Sequence, residues 1–151
     1  MEGRPVPMRV QYVEGHAAVI ARLSGVVEAG DIRASLQFAF GAGLVRPGVA
    51  RLVAVDQGAA LHRLDLPALA RIQRAVLLEE SRGGRAPAFR SVLCAPYGLH
   101  RPIAWLYKAQ WDMLDLPGVR FDVVEREAEA LALLGIPADA TLGPEIDLDR
   151  R

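Results

Sequence analysis

Asp65, Leu66 and Pro67 open a helix that follows a strand and a loop, and none of the three is a nucleophile. The strand is Arg51 to Asp56 and the loop Gln57 to Leu64. A helix N-terminus facing the carboxyl end of a strand is where α/β proteins commonly place catalysis or a switch. Here that position offers a carboxylate, a leucine and a proline. Ser24, Ser35, Ser81 and Ser91 all lie outside the G-x-S-x-G context of a nucleophile elbow, so a Ser–His–Asp hydrolase is not expected. His16, His62 and His100 lie far apart, with no second ligand at zinc-binding spacing, and no metal is expected. His62 is the histidine best placed for acid–base work, because it sits in the loop after the strand and could meet Asp65 across a turn. A loop histidine in water is the simpler account of it. Cys94 lies inside a strand, where cysteine usually serves as a small buried hydrophobe. Gly41-Ala42-Gly43 and Arg82-Gly83-Gly84-Arg85 lack the lysine–hydroxyl pair of a phosphate loop and read as helix ends and turns. No cofactor is expected.

The elements that would position these residues alternate along the chain. Met8 to Val13 and Ala17 to Leu23 flank Glu14-Gly15-His16 and read as a β-hairpin. Glu28 to Phe40 has apolar residues at helical spacing. Asp65 is a good N-cap, and Pro67 is tolerated in a first turn whose N–H groups have no helical partner. Leu66, Leu69, Ala70, Gln73, Val76 and Leu77 form the expected inward stripe of that helix, which Gly83-Gly84 ends. Phe89 to Ala95 is a strand. His100 to Leu116 is a helix, stopped by Pro117-Gly118. Val119 to Val124 is the last strand, and Glu125 to Leu134 the last helix. Val53, Val55, Leu93 and Val123 are the expected central-strand core. Residues 1–7 read as an N-terminal extension, 8–135 as one domain, and 136–151 as an extended, mobile tail.

The expected fold class is α/β, with a mixed, mostly parallel sheet, an N-terminal hairpin and about four helices. A chain of 151 residues with 52% apolar content suits one domain with one core. Lys+Arg and Asp+Glu both number 18, so nothing favours nucleic acid as a partner. A single cysteine fits a reducing cytosol. Membrane spans and a signal-peptide pattern are both missing from the sequence, so a cytoplasmic location is expected.

The order of elements resembles the STAS family, the anti-sigma-factor-antagonist domains with the SpoIIAA-like fold. Four stretches carry the resemblance: Ala18 to Gly25, Leu52 to Asp56, Leu64 to Leu69, and Phe121 to Val124 followed by Glu129 to Gly135. The last looks most like a STAS-like branch found in bacteria. Switch members of the family carry a phosphorylatable serine just after an aspartate at this helix start. Aligning Asp65 with that aspartate puts Leu66 and Pro67 where the serines would fall. The resemblance therefore implies the fold and an interaction or regulatory role without the phosphoserine switch.

The resulting expectation is a non-enzymatic module that binds a protein partner, most simply a second copy of itself. On the His100 to Leu116 helix, Ile103, Leu106, Tyr107, Gln110, Met113 and Leu114 share the expected core stripe. Trp105 then falls opposite, with Lys108 and Asp112 beside it and Trp111 at the border. These four residues form the expected dimer or partner surface. The rival reading is a carrier or sensor of a small apolar ligand, held at the carboxyl rim of the sheet by Leu61, His62 and Leu64. A cavity under that rim would favour the rival; a solid core with an exposed aromatic patch would favour the interaction module.

Overall fold

The computed structural model describes residues 8–148. Strands β1 (Met8–Tyr12) and β2 (Ala18–Leu23) form an antiparallel hairpin. Helix α1 (Ala29–Gly41), strand β3 (Ala50–Val55), helix α2 (Leu66–Glu80), strand β4 (Phe89–Cys94), helix α3 (Arg101–Leu114) and strand β5 (Val119–Val124) follow in alternation. Helix α4 (Glu127–Leu133) and the short strand β6 (Ile146–Asp147) complete the chain. The six strands make one mixed sheet in the order β5-β4-β3-β2-β1-β6. β2 to β5 run parallel, and β1 and β6 add the antiparallel edge. No helix of the described residues is long and apolar enough to cross a membrane.

Strand alternation divides the core into two layers. Val10, Ala21, Val55, Leu93 and Phe121 face one side, where α1, α2 and α3 cover them. Ile20, Leu52, Val92 and Cys94 face the other, against Ala130 of α4 and Ile136. Local chemistry sets the helix ends. The Asp65 carboxylate accepts the Ala68 N–H at 2.9 Å and caps α2. After α2, a short 3₁₀ turn (Arg82–Gly84) carries Gly83 and Gly84 at positive φ, a region side chains rarely adopt.

A buried polar clamp joins β3 to the end of α2. The Arg51 guanidinium donates to the Glu80 carboxylate and to the Val49 carbonyl, and lies 4.4 Å over the Phe89 ring. The Gly48 N–H donates to the other Glu80 oxygen at 2.8 Å. Glu80 is only 1% exposed, so each of its oxygens needs such a partner.

Four expectations are corrected. First, residues 136–148 do not stand apart from the folded domain but pack against it. β6 pairs with β1, the Gly143 N–H donates to the Tyr12 carbonyl at 2.9 Å, and the Ser35 hydroxyl donates to the Leu148 carbonyl at 3.0 Å. An edge strand leaves backbone groups unpaired, and this segment pairs those of β1. Residues 1–7 and 149–151 lie outside the described residues.

Second, α3 is rotated from its expected phase. Ala104 and Trp111 are buried, with Ile103 and Tyr107 half-buried, while Leu106, Met113 and Leu114 are exposed. Trp111 is thus core rather than surface, seated among Phe89, Tyr107 and Phe121. Third, Leu66 of α2 is exposed, and Ile72 and Ala75 are buried instead. Fourth, Val55 and Leu93 are buried, but Val53 and Val123 keep part of their surface open.

Candidate functional site

The carboxyl rim of the sheet carries Asp56, Cys94, Glu125, Arg126 and Glu127 around a shallow crevice. Its carboxylates are already paired. Asp56 accepts from Arg9 at 2.7 Å, Glu125 from Arg101 at 2.9 Å, and Glu127 from Arg22 at 3.0 Å. Cys94 is buried, and burial, with Glu127 and Glu129 nearby, pushes its thiol up to about 11. It stays protonated at neutral pH and is a poor nucleophile. No group of three His, Cys, Asp or Glu side chains among the described residues is placed to hold a metal ion.

At the switch-equivalent position, Asp65 is occupied in capping α2, and Leu66 and Pro67 are exposed. The side-chain amide of Gln110 donates to the Leu66 carbonyl at 3.4 Å, so the start of α2 lies against α3.

Helix α3 has two contrasting faces. Its inner face carries Ile103, Ala104, Tyr107 and Trp111 onto the sheet. Tyr107 and Trp111 meet edge to face, and Trp111 stacks on Phe121. Burial pushes the Tyr107 phenol up to about 12. Its outer face is apolar and uncovered within the described residues. Trp105 is 54% exposed and Met113 83%, with Leu106 beside them and Leu99 just ahead of the helix. Leu66 extends this surface onto α2. Asp112 is exposed, but Lys108 is tied down, with Nζ donating to Asp112 and to the Phe121 carbonyl at 3.1 Å.

Under the rim, between the sheet and α1, α2 and α3, lies a cavity of about 140 Å³. Leu61 and Leu64 stand in its wall, whereas His62 is exposed in the loop between them. The histidine that does enter the wall is His100, at the N-cap of α3, 5% exposed. Its Nε2 lies 2.8 Å from the Ala59 carbonyl. The sequence does not single out His100, which precedes Pro102 at a helix start, because nothing in that spacing distinguishes a buried ring from a solvated one.

Comparison with family models, with curated proteins and with solved structures finds no match to this chain.

Proposed function

We propose that this chain is a STAS-like module with the SpoIIAA-like arrangement of its α/β sheet, acting through protein contacts rather than catalysis in a bacterial cytoplasm. The observation that supports this reading is the uncovered apolar face of α3, where Trp105, Leu106 and Met113 stand exposed beside Leu66 of α2. Exposed apolar surface of this kind often marks an interaction site. The core is not solid, since the cavity under Leu61 and Leu64 supports the carrier or sensor reading as well, and the two sites can coexist. Aromatic anchors supply much of the binding energy at such sites. The occupant is a second copy of the chain, since two-fold homodimers are the commonest soluble assemblies. The contact is constitutive in this reading, because Asp65-Leu66-Pro67 offers no hydroxyl for a phosphate at the start of α2.

Sedimentation velocity tests the proposal on wild type, Trp105→Ala, Met113→Glu and the control Leu78→Glu. Leu78 is also exposed, but on α2 and away from α3. A dimer lost in the two α3 variants and kept in the control supports the reading. A wild type that stays monomeric at high concentration refutes the homodimer.

A further inference from the structure

We infer that the cavity beneath α3 is a binding site for a small neutral molecule with an apolar body, about one aromatic ring in size, and one hydrogen-bond donor: a phenol-like ligand.

Size comes first. The cavity measures about 140 Å³. An apolar cavity of about 150 Å³ engineered into another protein takes up benzene. Natural cores pack to crystal-like density, so a gap of this size at the centre of a small domain is unusual. The gap also explains Val53. This valine sits in the middle of β3, flanked by paired strands on both sides, yet it is not fully buried. Its side chain lines the cavity.

The wall chemistry selects the ligand. Val53, Leu69, Leu93 and Ile103 present only carbon. Arg51 also reaches the wall, but its guanidinium is committed to Glu80 and to the Val49 carbonyl. With that guanidinium already neutralised, a carboxylate ligand gains no counter-charge from it, and burying an unpaired charge is strongly unfavourable. The ligand is therefore neutral.

Ser91, Tyr107, Trp111 and His100 also bring polar atoms to the wall, and of these Trp111 Nε1 and His100 Nδ1 are buried with no partner among the described residues; His100 supplies the contact proposed here. Its Nε2 faces the Ala59 carbonyl, so this nitrogen carries the proton and donates. The other ring nitrogen, Nδ1, is buried with no hydrogen-bond partner among the described residues, and in the proposed site it serves as the acceptor. A buried acceptor left unpaired is costly, and a hydroxyl brought by the ligand would satisfy it. This site stands independently of the dimer contact proposed above, since it uses the inner side of α3 rather than the outer.

Protein NMR with phenol, benzene and benzoate as probes tests the site. Trp111 lines the cavity and Trp105 does not, so the two indole signals report inside and outside separately. Phenol and benzene are expected to shift the Trp111 signal and leave Trp105 unmoved. Phenol should bind about tenfold more tightly than benzene, the gain of one net hydrogen bond. Benzoate should not bind. His100→Phe should abolish the advantage of phenol and keep benzene binding. Should that variant fail to fold, nitrogen NMR of wild type decides the same point: the His100 Nδ1 resonance moves with phenol and not with benzene. The inference is overturned if neither neutral probe shifts Trp111, if Trp105 moves instead, if benzoate binds as well as phenol, or if phenol gains nothing from His100.

Discussion

Trp105 and Trp111 share one helix and face opposite environments. Trp111 stacks on Phe121 with 6.1 Å between ring centroids and 10° between planes, whereas Trp105 is half exposed. Trp111→Ala should therefore destabilise the fold by about 3–5 kcal/mol, the usual cost of emptying a large aromatic site in a core. Trp105→Ala should change monomer stability by no more than about 0.5 kcal/mol. Urea unfolding of both variants, followed by fluorescence of the remaining tryptophan, separates the two roles. Comparable losses in the two variants would mean that the helix phase is wrong.

Arg51 and Glu80 should be more sensitive to the loss of one partner than any surface ion pair. Glu80→Ala leaves a buried guanidinium without its counter-charge, and an effect of about 3–5 kcal/mol is expected. Lys108→Ala breaks a part-exposed pair with Asp112 and a bond to the Phe121 carbonyl, and should cost no more than about 1 kcal/mol. Thermal denaturation of the two variants side by side checks the ranking.

Gly118 is required for space rather than for its backbone angle. A Cβ at this position would lie 2.7 Å from the Pro87 carbonyl oxygen and 3.1 Å from Ala88 Cα. Backbone cannot yield cheaply there, because the Phe89 N–H donates to the Gly118 carbonyl at 3.0 Å and starts the β4–β5 pairing. Gly118→Ala should destabilise by about 1–3 kcal/mol, as overpacking usually does. A neutral effect on the denaturant midpoint would show that the two turns separate easily.

Stability should fall in alkali. Burial raises Cys94 from 9.0 to about 11 and Tyr107 from 10.0 to about 12. Both groups hold their protons longer when folded than when unfolded. Their contribution is thus fully present below pH 9 and is lost as pH rises from there through 11 and 12. Urea midpoints measured across this range should decline, and Cys94→Ala with Tyr107→Phe should flatten the decline. Native Cys94 should also resist iodoacetamide at mildly alkaline pH and react once unfolded.

Val53→Ile adds one methylene to the wall of the cavity beside α3. Filling existing space should raise stability by about 0.8 kcal/mol, where the same change in a tightly packed core would lower it. Calorimetric melting of the variant checks the sign.

The alternation of strands and helices from β1 to α4 was legible in the chain, because the periods of two and 3.6 are local properties of residue order. So was the cap at Asp65, since a carboxylate three residues before an N–H needs no tertiary contact to reach it. The phase of α3 was not. Its sequence is apolar on two arcs, and the arc with more large aliphatic side chains lost to the arc whose Tyr107 and Trp111 fit against Phe89 and Phe121. The pairing of Ile146–Asp147 with β1 was hidden for a similar reason: a two-residue strand has too few residues to show a period, and only the open edge of the hairpin recruits it. The cavity lay further from view still. Volume left over between a sheet and three helices depends on how closely they approach one another, and Val53 and His100 acquire their places in its wall only when that packing is complete.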